Sequence, residues 1–252
     1  MLLLRATLYV LLQAIITPLY FLIVLAAFPL PPLHRYRITS GWAHLMLFLL
    51  SRVCGIRYRV IGRENIPGQP SIVLSKHQSA WETLAFQQIF PPQVWVLKKE
   101  LLRIPFFGWG LALNSPIAID RSSGKTALKQ IVEQGRDRLQ AGFWIVIFPE
   151  GTRIAPGERG KYHIGGAWLA THSVAPVVPV AHNAGAFWGR NAFIKRPGTI
   201  TVSIGAPIDP KGMEPGDLNA RVEEWIEAEM MRLDDRQTPP PDASSPLPVP
   251  ER

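Results

Sequence analysis

The pattern of apolar and polar positions divides the chain into two regimes that meet near Arg57. Before that point apolar residues run together. Residues 6–33 form an uncharged stretch of 28, longer than the roughly 20 residues an apolar helix needs to cross a bilayer. Pro18 interrupts this run and Pro29, Pro31 and Pro32 close it, which suits a kinked or obliquely immersed helix as well as a straight one. A second apolar helical pattern, residues 41–54, is too short to span and fits a membrane interface, with Trp42, His44, Arg52 and Arg57 at its margins. Either the first helix spans and the arginines after it hold the rest of the chain in the cytoplasm, or the pair forms a hairpin in one leaflet. A cleavable secretory signal fits poorly, because the apolar run exceeds an h-region and no A-x-A site follows.

From Arg57 onward short β-rich runs alternate with amphipathic helical patterns. Strands are predicted at residues 58–61, 71–74, 94–97, 117–119, 143–148, 177–181 and 199–204, and helices at 80–89, 125–140, 166–172 and 218–233. Alternation of this kind predicts an α/β fold with a central, mostly parallel sheet flanked by helices, carrying the N-terminal apolar helical membrane segment and placing its sites at strand exits. The expected organisation is a membrane-associated segment over residues 1–56, an α/β domain over 57–236 and a Pro-rich tail without a core pattern over 237–252.

Charge sharpens this division. The net charge is +8, yet up to Arg63 the chain has seven arginines and no acidic residue, while the remainder carries 20 basic and 19 acidic groups. Nucleic-acid binding would need a basic face on the folded domain, so that class is set aside. A basic and apolar segment points instead to an anionic lipid surface. The lone cysteine, Cys54, excludes an internal disulfide and sits in an apolar setting that suits packing.

Four stretches could carry chemistry. At the first, an apolar run empties into Ser75-Lys76-His77-Gln78-Ser79-Ala80-Trp81-Glu82. The His77 imidazole can take a hydroxyl proton and return it, with Glu82 near enough to orient the ring. Ser79-Ala80-Trp81-Glu82 also fits a capping box, in which Glu82 satisfies a free backbone N–H, and both readings stand. The second stretch places Lys98 and Lys99 after a strand, followed by Ile104-Pro105-Phe106-Phe107-Gly108-Trp109 and leading to Ile119-Asp120-Arg121. The lysines could hold an anionic head group, and the residues over 104–113 could line an acyl channel.

The third stretch, Phe148-Pro149-Glu150-Gly151-Thr152-Arg153, ends a strongly apolar strand. Pro149 stops pairing, Gly151 permits a tight turn, and Arg153 offers a planar fork matched to phosphate. The fourth, Val177-Val178-Pro179-Val180-Ala181-His182-Asn183-Ala184-Gly185, is a buried strand ending in polar residues and by itself says little. Gly124-Lys125-Thr126 lacks the upstream glycine of a phosphate-binding loop, and no G-x-S-x-G elbow occurs. His163, His172 and His182 lack metal spacing and read as packing or surface histidines.

Together these stretches resemble the 1-acyl-sn-glycerol-3-phosphate acyltransferase (lysophosphatidic acid acyltransferase) family over residues 58–208. The resemblance implies an enzyme that moves a fatty acyl group from acyl-CoA or acyl-ACP to the sn-2 hydroxyl of 1-acyl-sn-glycerol 3-phosphate, forming phosphatidate. His77 would be the catalytic base and Glu82 its acidic partner, at a position where the related pattern usually has Asp. Lys98 or Lys99 with Arg153 would contact the phosphate, and Glu150, Gly151 and Thr152 would complete the third block. Amides near the helix start at Ala80 are candidates for the oxyanion. No metal or bound cofactor is expected. The expected partners are membrane phospholipids, lysophosphatidate and the thioester carrier, with the catalytic domain facing the cytoplasm. A different lyso-lipid acceptor, or a scaffold that binds lipid without turnover, are the alternatives.

Overall fold

The computed structural model describes residues 1–119 and 124–235. The expected Pro-rich tail over 237–252, with Asp120 and Arg121, lies outside them. Seven strands, β1 (Ile56–Ile61), β2 (Ile72–Ser75), β3 (Gln93–Lys98), β4 (Ile117–Ile119), β5 (Trp144–Ile147), β6 (Val177–His182) and β7 (Gly198–Ile204), form one sheet in the order β1-β7-β6-β2-β5-β3-β4. All neighbours pair in parallel except β6 and β7. The mostly parallel sheet expected from the alternation is therefore present.

Every residue of β2, β5 and β6 is buried, as expected for strands covered on both faces. Successive side chains leave a strand on opposite sides, and the core divides accordingly. Ile72, Leu74, Ile145 and Val177 join Ile131 of α5 (Lys125–Gln140), Leu169 of α6 (Gly165–Ser173), and Val222 and Ile226 of α8 (Pro215–Asp235) on one face. Val73, Val146 and Val178 join the other, with Trp81 and Phe86 of α3 (Trp81–Ile89).

That second face also takes in the N-terminal region. The apolar run forms α1 (Leu2–Ala26), which continues through Pro18, and a second helix, α2 (Pro32–Leu49), starts with Pro32 at its first turn, where a missing N–H costs nothing. Tyr9, Ala43, Met46 and Leu50 are buried in one cluster with Val73, Phe86 and Trp144. Burying each large side chain is worth about 1.5–3 kcal/mol, so the core runs across the expected boundary at residue 56. α1 is long and apolar enough to cross a membrane. Its inner side packs on the domain near both ends: Tyr9 meets Trp188 edge-on at 5.9 Å and Phe21 meets Phe106 at 5.8 Å. Leu4, Leu8, Leu11, Ile15, Leu19 and Leu22 form an exposed stripe at helical spacing.

Candidate active site

The exits of β2, β5 and β6, neighbours at the centre of the sheet, converge on His77. Its backbone N–H donates to Glu150 Oε2 at 2.8 Å, and its carbonyl accepts the Ile154 N–H at 2.8 Å. The loop after β5 thus holds the peptide groups on both sides of the residue. The imidazole stacks on Phe148 with ring centroids 3.8 Å apart and 9° between the planes. The sequence pattern marks Phe148 only as a strand end.

Glu82 makes the contacts of both readings. Its Oε1 accepts from His77 Nδ1–H at 2.8 Å, from the Gln78 N–H at 2.9 Å and from the Ser79 N–H at 2.8 Å. Ser79 Oγ in turn accepts the Trp81 N–H at 3.1 Å. One oxygen therefore closes the first turn of α3 and selects the His77 tautomer, because an ionised carboxylate can only accept. The neutral ring keeps Nε2 as its basic nitrogen. Burial would push the Glu82 carboxyl up, but the His182 and His77 rings and the Ser79 N–H outweigh it and hold the pKa below its ordinary value. The same bonds commit the Gln78, Ser79 and Trp81 amides, so three of the groups expected to face an oxyanion are already occupied.

Beneath the histidine lies a web of buried charge. Lys76 Nζ is 2.7 Å from Glu150 Oε1 and 2.9 Å from Glu227 Oε1, and it donates to the Glu158 carbonyl at 3.2 Å. The Tyr162 hydroxyl donates to Glu227 Oε1 at 2.8 Å. The Glu150 side chain is thus buried under His77, with no exposed surface to offer a substrate. Burial pushes its carboxyl up, opposed by the Lys76 ammonium.

His182, read from sequence as a packing or surface residue, closes this web. Its Nε2–H donates to the Lys76 carbonyl at 2.9 Å and its Nδ1 accepts the Ala184 N–H at 3.3 Å. Burial lowers its pKa, in keeping with a neutral ring that has one donor and one acceptor nitrogen. His182 stands out in sequence only as a polar residue ending a buried strand, and Glu227 by nothing beyond its residue type; only the crossing of β6 and α8 brings them here.

The His77 ring lines a cavity of about 360 Å³ between α1, α2, α3, β3 and α4 (Phe107–Ala112). Lys98, Phe148, Gly151 and Arg153 share its wall, and Phe106, Phe107 and Leu111 contribute apolar surface from the stretch expected to line an acyl channel. Gly151 has φ +67°, a conformation most side chains resist. Arg153 is half-buried, and its guanidinium meets no carboxylate among the described residues. Lys99 and Thr152 are exposed and are not on the cavity wall. The arrangement joins a proton acceptor, two cations and an apolar chamber. Among the described residues no cluster of three or more His, Cys, Asp or Glu could hold a metal.

Comparison with known proteins gives this combination a class. The family model Acyltransferase matches residues 57–183. The 1-acyl-sn-glycerol-3-phosphate acyltransferase of Pseudomonas aeruginosa is 46% identical over 237 residues, covering 88% of this chain and 92% of that protein. The human 1-acyl-sn-glycerol-3-phosphate acyltransferase alpha is 30% identical over 184 residues, covering 70% of this chain and 63% of its own. The crystal structure of the 1-acyl-sn-glycerophosphate acyltransferase of Thermotoga maritima has the same fold, with a TM-score of 0.79 at 22% identity over 94% of this chain and 98% of that one. The chain is an acyltransferase and belongs to the 1-acyl-sn-glycerol-3-phosphate acyltransferase family.

Proposed function

We propose that the chain transfers a fatty acyl group from acyl-CoA or acyl-ACP to the sn-2 hydroxyl of 1-acyl-sn-glycerol 3-phosphate, forming phosphatidate for phospholipid biosynthesis. The observation that carries this reading is the placing of His77, Lys98 and Arg153 on the wall of one largely apolar cavity. The phosphomonoester of the acceptor pairs with the cations, which leaves its hydroxyl near the imidazole. His77 Nε2 takes the hydroxyl proton as the oxygen attacks the thioester carbonyl. The tetrahedral intermediate then expels the thiolate, which takes the proton back from Nε2. Glu82 holds the ring and stabilises the transient imidazolium. General-base catalysis of this kind is worth about 10² to 10⁴-fold, and positioning supplies much of the rest.

The same reading places the enzyme at a membrane. The packed inner side of α1 and its exposed leucine stripe suit a helical pair immersed in one leaflet, with the basic flanks and the catalytic domain on the cytoplasmic side. Purified enzyme should be tested with acyl-CoA and acyl-ACP against lyso-lipids with and without a phosphomonoester, following thiol release. Transfer should need the phosphomonoester and vanish in His77→Ala while the melting temperature holds. Equal rates on acceptors lacking that phosphate would sink the assignment. Lipid binding without thiol release would support a scaffold.

A further inference from the structure

Arg153 also lines a second cavity, about 310 Å³, whose wall includes Val10 and Gln13 of α1, together with Trp188, Phe193 and Lys195. His77 and Lys98 take no part in it. Lys195 is only 3% exposed. Its ammonium lies 4.7 Å from the ring centre of Trp188, 5.4 Å from Tyr9 and 5.5 Å from Phe193, and it donates to the Phe193 carbonyl at 2.8 Å. Among the described residues no carboxylate pairs with it. Arg153 Nε is likewise buried without a hydrogen-bond partner.

A desolvated cation without a counter-charge opposes folding, and burial accordingly lowers the Lys195 pKa. Aromatic faces return part of that cost, but they leave the charge itself unneutralised. Two cations on one cavity wall, neither paired with a carboxylate, match the oxygens of a phosphate ester. Loss of stability in exchange for binding is a recurrent feature of ligand sites.

We propose that Lys195 and Arg153 form a phosphate-ester site in this second cavity, to which His77 and Lys98 do not contribute. This inference rests on the proposed reaction, in which both substrates carry phosphate: the acceptor in its head group and the donor in its phosphopantetheine carrier. Arg153, common to both cavities, then links phosphate binding to the chamber where the acyl group is transferred.

Lys195→Met keeps the length of the side chain and removes the charge. In the full-length enzyme it should raise the KM for one of the two substrates about ten- to a hundredfold with little change in kcat. A rise for lysophosphatidate assigns the site to the head group; a rise for acyl-CoA or acyl-ACP assigns it to the carrier. The ligand-free melting temperature should stay level or rise, whereas loss of a purely structural aromatic clamp would lower it. Lys195→Arg should retain most of the affinity. Inorganic phosphate should stabilise the wild type more than Lys195→Met, a readout that survives even if the acceptor proves to be another lyso-lipid. Unchanged KM values for both substrates, or equal stabilisation by phosphate in the two proteins, would overturn the site.

Discussion

Lys76, one residue before His77, is 1% exposed and lies 2.7 Å from Glu150 and 2.9 Å from Glu227. Arg153, from the loop that also grips the His77 carbonyl, lines the same cavity as His77 and has no carboxylate partner among the described residues. The two cations adjoin the same histidine under opposite electrostatic conditions. Charges beneath the ring are matched with one another, so their free energy is already committed to the fold and to the position of the His77 backbone. Charges on the cavity wall remain unmatched, so their electrostatic free energy becomes available when an anion arrives. The difference separates groups that hold His77 in place from groups that can take up an anion.

Glu82 offers the largest test of the buried side. Glu82→Gln keeps hydrogen-bonding atoms but loses the charge that steadies an imidazolium, and the rate should fall by about 10² to 10⁴-fold. Stability should change as well, because the same oxygen caps α3. Its folded pKa lies below the ordinary value of 4.5. The stabilisation is therefore present above pH 4.5 and lost as pH falls through the lower folded value. Melting curves from neutral pH down through that range should show an acid limb that is shallower in Glu82→Gln. A fully active variant would limit Glu82 to its capping role.

Lys76→Met should act on the fold first. Leaving the buried Glu150 and the half-buried Glu227 without their cation costs about 3–5 kcal/mol, to be read from denaturant unfolding in detergent. Activity should fall through kcat as the His77 peptide loosens, with the acceptor KM little changed.

Arg153→Ala should show the reverse. Acceptor KM should rise by the equivalent of about 1.5–3 kcal/mol, while stability stays within about 0.5 kcal/mol. Arg153→Lys should rescue only in part, because an ammonium lacks the planar fork. If Arg153→Ala destabilised the protein as much as Lys76→Met, the contrast between matched and unmatched charge would fail.

Several features of the site were legible along the chain because they depend on neighbours in sequence. His77 and Glu82 are five residues apart across a strand-to-helix turn, so the local geometry that caps α3 also brings the carboxylate to the ring. The burial of β2, β5 and β6 followed from their uninterrupted apolar runs. The turn at Gly151 followed from its position after Pro149. Glu150 was harder to place. Its motif marked it as part of the site, but the motif could not reveal a side chain directed into the protein, where Lys76 waits 2.7 Å away.

What the sequence by itself determined, then, is the order of the strands, the apolar character of α1 and the two local contacts of Glu82, because hydrophobic period and short-range hydrogen bonding act over a few residues. Tertiary structure decided which charges are matched. Lys76 meets Glu227 across 151 positions and His182 reaches the Lys76 carbonyl across 106, distances over which no local pattern constrains a pair. It also decided that α1 lies along the domain, by bringing Tyr9 to Trp188 and Phe21 to Phe106. Hydropathy reports how apolar a helix is; only packing determines which of its sides the protein covers.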